Sequence, residues 1–393
     1  MFGLVKEEDG KPLTINHRGA YLPPRTHVKG SLNLSVLEFR WPIDFDACVF
    51  DGAIIITNAK LGPLSLKGAE FPSLSGDSVR IAGDLDLPNC DAGAIELRGS
   101  HIEGSLWIDG AQLNAKGEEL SGWYGRCLNC NGAEISDNIL LRRLSATGVV
   151  NLQGVKVGGQ IDCSGGTFSN AAGKALNCAA ATIGADVFLS DGFTATGEVS
   201  FQRATITGQL SCISGTFTNA GGRALMCDAA TIRADVFLRN GFSATGEVNF
   251  LGATITGQID CSGGMFTNAG GTALFCDSTT CADVFLRYGF SATGEVNFRG
   301  ATISGQIDCS GGTFTNGGGT ALMCNAATFG ASVFLRSGFS ATGEVNFTRA
   351  KVEGNFQLIR ASLDCAKGDC ALDLEGATVS GTLFFTRVQN CCG

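Results

Sequence analysis

The sequence predicts an all-β fold, a single-stranded right-handed parallel β-helix (solenoid) of about 14–15 coils, each of about 22–26 residues. Three observations predict it. GFTATGEVSF begins at Gly192, and GFSATGEVNF recurs at Gly241, Gly289 and Gly338, so successive starts lie 49, 48 and 49 residues apart. Each long repeat is itself double: aligning residues 295–314 with residues 321–339 sets Val296 beside Leu322, Phe298 beside Cys324, Ile303 beside Phe329 and Ile307 beside Val333. Short apolar-x-apolar stretches return about every 11 residues with strand alternation, and the i, i+3, i+4 spacing of a helix is absent. Strands at that spacing with no helical crossover stack into a solenoid, and right-handed winding is the default for parallel crossovers.

The segments follow in order. Residues 1–27 lack the beat and read as an irregular cap or docking segment. Solenoid is expected over 28–393. Degenerate coils over 28–149 carry pairs such as Leu32/Leu34, Ile54/Ile56, Leu85/Leu87, Leu106/Ile108 and Ile139/Leu141. Regular double coils fill 150–350, and degenerate coils with Phe356/Leu358, Leu372/Leu374 and Leu383/Phe385 fill 351–393. The C-terminal edge has no evident cap, so an end-on contact is expected there.

Alternation assigns the interior. Cys163, Cys212, Cys261 and Cys309 form one inward column, and Cys178, Cys227, Cys276 and Cys324 another. In the intervening coils the same places hold Leu189, Leu238, Leu286 and Leu335, or Phe201, Phe250, Phe298 and Phe347. Small against large keeps the core volume constant, so these cysteines read as reduced packing residues. Cys127 and Cys130 lack a second pair at zinc-finger spacing, and Cys365, Cys370, Cys391 and Cys392 are the looser group that could converge on a metal. Glycine runs such as Gly317-Gly318-Gly319 never sit between a strand and a helix; they read as corners needing positive φ and offer no basis for a nicotinamide or flavin cofactor. No cofactor and no metal is therefore expected.

Units such as NFRGATISG (residues 297–305) resemble pentapeptide-repeat and related right-handed β-helix proteins, with Phe298 and Ile303 five apart. The longer text, from GSLNL at Gly30 through WPIDFDACVFDGAI at Trp41 to the GEVNF…GQIDCSGGTF…GGTAL cycle, is similar to a family of bacterial β-helical proteins often labelled "membrane-associated oxidoreductase". The resemblance covers about residues 28–390. It implies the fold and a bacterial source, and it carries no catalytic motif to transfer.

The outward positions carry the functional reading. One outward column runs Asp162, Phe188, Ser211, Phe237, Asp260, Phe285, Asp308, Phe334, and a second runs Asn177, Ser200, Met226, Asn249, Phe275, Asn297, Met323, Asn346. Every other coil thus shows an aromatic or Met to solvent, which suggests a contact surface for a protein partner or a second copy, side-on or end-on. The rival expectation is that residues 1–27 cover that stripe. Thr182, Thr205, Thr231, Thr254, Thr280, Thr302 and Thr328 form a ladder beside a ragged column. Strand preference explains them.

With 28 Lys and Arg against 37 Asp and Glu the net charge is −9, which argues against direct nucleic-acid binding. Acidic residues recur at Glu198, Glu247, Glu295 and Glu344 and at Asp186, Asp235 and Asp283, and a DNA-mimic module is one alternative. Arg239 and Arg287 follow that Asp column by four residues and read as its partners. A carbohydrate-active β-helix enzyme is the other alternative, with the loop at residues 116–126, carrying Trp123 and Tyr124, as its candidate site. The histidines, His17, His27 and His101, offer no obvious triad. No run of apolar residues is long enough to span a membrane, and no secretory leader is recognisable at the start. The sequence reading is therefore a rigid, non-catalytic, cytoplasmic interaction scaffold using the Phe/Met face.

Overall fold

A computed structural model describes residues 14–16, 19–114, 125–365 and 371–390. Within them every regular element is a strand, and the parallel strands stack as a β-solenoid of about 15 turns. Contact density divides the chain into two units: residues up to Phe188 with Phe193–Thr196, and Leu189–Gly192 with Gly197 onward.

The first unit has three strand faces. On the first, Ile43–Asp44, Leu64–Ser65, Leu85–Asp86, Leu106–Trp107, Ile139–Leu140, Ile161–Asp162 and Val187–Phe188 pair in parallel, rung on rung. The second includes Glu70–Ser75 and Asp91–Glu96, in which Leu74 meets Ile95, and the third includes Arg80–Ile81 and His101–Ile102. The solenoid begins before residue 28: Gly19–Tyr21 already stacks in parallel on Ile43–Asp44, and Thr14–Asn16 folds back antiparallel along it. That reversal occupies part of the first rung's free edge. Most of the expected cap, residues 1–13, 17 and 18, lies outside the described residues.

The second unit holds the regular repeat, and its register agrees with the internal alignment. Val296 pairs with Leu322, Ile303 with Phe329 and Ile307 with Val333. Long strands, Thr216–Met226, Met265–Phe275 and Thr313–Met323, alternate with shorter ones, Ser243–Asn249, Ser291–Asn297 and Ser340–Asn346. The extra residues make a projection, closed where Asn268 Nδ2 donates to Thr272 O at 2.9 Å and Asn316 Nδ2 to Thr320 O at 2.8 Å. Gly294 in the shorter strand, at φ +116°, runs so close that a Cβ there would stand 2.5 Å from Asn268 O. This is why the repeat keeps Gly before Glu-Val.

The core is a stack of rings. Phe217, Phe242, Phe266, Phe290, Phe314 and Phe339 follow one another with centroids 5.1–5.4 Å apart. Both cysteine columns and the Leu and Phe residues that alternate with them are fully buried. The glycine expectation holds at some runs and fails at one: Gly221, Gly270 and Gly311 take positive φ (71°, 78° and 70°). Gly317, Gly318 and Gly319 lie inside the strand Thr313–Met323 and take no positive φ. Corners turn both on glycines such as Gly300 (φ 61°) and on left-handed non-glycine residues such as Ala326 (φ 56°), Arg349 (φ 57°) and Ser337 (φ 54°).

Candidate interaction surface

Alternation sets the first face of the second unit. Val236 and Leu238 point into the core, and Phe237 between them points out, in register with Asp260 of the next coil. Phe285 likewise meets Asp260 on one side and Asp308 on the other. The residue two places after each Phe returns to the same face, and it is arginine. Arg239 lies 4.3 Å from the Phe237 ring centroid, Arg287 4.0 Å from Phe285, and Arg336 4.1 Å from Phe334. Each guanidinium is held at its far end: Arg239 Nη1 donates to Asp260 Oδ2 at 2.8 Å, Arg287 Nη1 to Asp308 Oδ2 at 3.1 Å, and Arg336 Nη1 to Gln357 Oε1 at 3.1 Å.

The stripe is therefore no bare aromatic ladder. Phe237 and Phe334 are half-buried and Phe285 is 8 % exposed, with the arginine two residues on lying over each ring. Phe188, half-buried in the first unit, has Ser190 in the arginine position. The arginines also choose partners other than the ones their sequence spacing suggests: the next coil's Asp260 and Asp308, rather than Asp235 and Asp283 four residues back. Arg287 has a second aromatic neighbour in Tyr288, 4.9 Å away and 74 % exposed.

The second column is less open still. Met226 is 5 % exposed and stacks in register with buried Asn249, while Phe275 and Met323 are half-buried. The asparagine rungs turn along their own strands: Asn249 and Asn297 donate to Glu247 and Glu295 at 2.7 and 2.6 Å. In the first unit the equivalent rungs bond along the stack, Asn151 Nδ2 to Asn129 Oδ1 and Asn177 Nδ2 to Asn151 Oδ1, both at 2.9 Å.

The repeated carboxylates are engaged locally. Asp235 and Asp283 accept the backbone N–H of Gln258 and Gln306 at 2.9 and 2.8 Å, and Glu344 accepts from Asn346 and Thr320. Thr205, Thr231, Thr254, Thr280, Thr302 and Thr328 stand in register on the third face. Burial pushes the core thiols up, Cys90 and Cys127 to about 12, so they are poor nucleophiles and poor metal ligands as they stand. Among the described residues no group of three or more His, Cys, Asp or Glu is placed to hold a metal ion, and no helix is long and apolar enough to cross a membrane. Cys365 is buried, while Trp123, Tyr124, Cys370, Cys391 and Cys392 lie outside the described residues.

Two features escaped the sequence reading. On the first face of the first unit, Trp107 is 37 % exposed and donates its indole N–H to Asp109 Oδ2 at 2.7 Å. Arg142 of the next coil clasps that same oxygen through Nε at 2.8 Å and Nη2 at 2.5 Å. The signal was the Trp-x-Asp spacing where other coils carry Phe-x-Arg. At the last described coil, Leu383 and Phe385 continue the core positions of Phe356 and Leu358 yet are 48 % and 50 % exposed. No protein-family model and no curated protein matches the chain.

Proposed function

We propose that this protein is a rigid, non-catalytic interaction scaffold that self-associates side by side through the first face of its second unit. The observation that carries this reading is the repeated triplet of ring, guanidinium and carboxylate: Phe237–Arg239–Asp260, then Phe285–Arg287–Asp308, with Phe334–Arg336 following. One triplet recurs every two coils, roughly 9–10 Å along the stack. Aromatic and arginine side chains are the types that dominate binding energy at protein contacts, and here stacking and ion pairing immobilise them before any partner arrives. A pattern repeated at fixed spacing along one face presents the same patch on both copies of a two-fold pair.

The DNA-mimic alternative is supported less well, since its carboxylates are occupied by neighbouring amides and hydroxyls. A cytoplasmic setting is the compartment we propose, supported by the columns of buried free thiols.

Tyr288→Cys, in a background with Cys370, Cys391 and Cys392 changed to Ser, places a reactive thiol on the face. A short bis-maleimide should then give a covalent dimer joined at position 288. Monomer alone, at concentrations where a control thiol on the threonine face behaves identically, would overturn the reading.

A further inference from the structure

The groove around Trp107 belongs to the first unit and differs in kind from the triplet array of the second. Its volume is about 380 Å³ and its walls include Lys67, Asp86, Pro88, Trp107, Arg142 and Arg143. Register sets the order of these groups along the stack. Asp86 precedes Trp107 by one coil on the same column, and Leu140 follows it. Lys67 belongs to the coil before Asp86, and Arg143 to the coil of Leu140. The two cations therefore stand three coils apart, roughly 14 Å.

Trp107, Lys67, Arg143 and Asp86 are the wall groups left free to meet a ligand. Where Arg239 or Arg287 lies over the ring two residues before it, the residue two places after Trp107 is Asp109. Its hydrogen bond fixes the indole, and Arg142 is spent on that same carboxylate. Among the described residues no guanidinium covers the Trp107 ring, so a partly exposed, immobilised indole is left for stacking. Neither the Lys67 ammonium nor the Arg143 guanidinium has a hydrogen-bond or ion-pair partner among the described residues, and both residues are exposed. Asp86 Oδ1 is buried without a hydrogen-bond partner, an orphaned acceptor that a hydroxyl donor would relieve. Burial and the neighbouring Asp84 push the Asp86 carboxyl up, with Lys67 opposing them.

We propose that this groove binds an acidic oligosaccharide, a short linear chain of uronic-acid residues. A sugar ring presents an apolar face to stack on Trp107 and hydroxyls for Asp86 and for Asn89, which also lines the groove, while carboxylates on flanking rings reach Lys67 and Arg143. Cations standing three coils apart fit a chain better than a compact anion.

The test is titration calorimetry on the full chain with tetramers of galacturonate, glucuronate and mannuronate, a carboxyl-reduced tetramer, and poly-glutamate. At least one uronate tetramer should bind, with the reduced chain and poly-glutamate at least about tenfold weaker. Trp107→Ala and the double variant Lys67→Gln/Arg143→Gln should each weaken it at least about tenfold. The double variant changes only exposed side chains, so it carries the test if Trp107→Ala fails to fold. No heat from any uronate, equal binding of poly-glutamate, equal binding of the reduced chain, or unchanged affinity in the double variant would each overturn the proposal. The variants leave the second unit untouched, so failure here is separable from failure of self-association.

Discussion

The guanidinium of Arg287 lies 4.0 Å from the Phe285 ring centroid while hydrogen-bonding Asp308, 21 residues on and one coil away. One side chain thus covers an outward aromatic, neutralises a carboxylate that is 8 % exposed, and ties two rungs together. Arg239 repeats the arrangement with Phe237 and Asp260.

Removing that clasp leaves Asp308 largely desolvated without its cation and uncovers the Phe285 ring. Arg287→Ala should cost about 1–3 kcal/mol, and Arg287→Lys, which keeps the charge but loses the planar stack, less than half of that. Urea melts of the three proteins check this. Equal midpoints for wild type and Arg287→Ala would refute the clasp.

The asparagine ladder of the first unit offers a second check. Asn151 is buried and bonds both Asn129 and Asn177, so Asn151→Ala strands an acceptor below and a donor above. A loss of about 1–3 kcal/mol is expected. Amide hydrogen exchange should quicken first in the rungs around residue 151.

In the ring stack, Phe266 touches Phe242 and Phe290 at 5.1 and 5.3 Å and is fully buried. Phe266→Ala should cost about 3–5 kcal/mol through the cavity it opens, and Phe266→Leu distinctly less. Because repeats couple mainly to neighbours, the loss should show as an early-melting region around that coil.

Alkaline pH should destabilise the fold. Burial raises Cys48 from 9.0 to about 11 and Cys90 to about 12, so the folded chain keeps protons that the unfolded chain has released. The contribution is whole below the unfolded thiol's titration and is lost as pH rises from about 9 through 11–12. Cys90, the more deeply buried of the two, weakens the fold by up to about 1.4 kcal/mol per pH unit in that window. Urea midpoints at pH 7 and from pH 9 to 11 should fall with a slope that Cys90→Ala makes shallower. A slope unaffected by Cys90→Ala would contradict the assignment.

The fold was legible because a solenoid repeats its local rule: each coil pairs with its neighbour in the sequence, so aligning the text with itself recovers pairs such as Ile303 with Phe329. The surface was legible only in part. Phe237 and Phe285 were placed outward by alternation, but their covering by Arg239 and Arg287 depends on a neighbour 21 residues away, which the four-residue spacing to Asp235 and Asp283 obscured. Met226 was expected outside and is buried, at the end of a long strand whose register shifts between Thr218 and Arg223. Trp107 stood in the same column as the phenylalanines. Its meaning lay in Asp109 and Arg142, which come together only when successive coils stack.

The most direct measurement is light scattering across a concentration series, with the wild-type chain beside Phe237→Ser/Phe285→Ser/Phe334→Ser. The account predicts a wild type whose mass rises with concentration and a folded variant that stays monomeric. Two folded chains that remain monomers over the same range would contradict it.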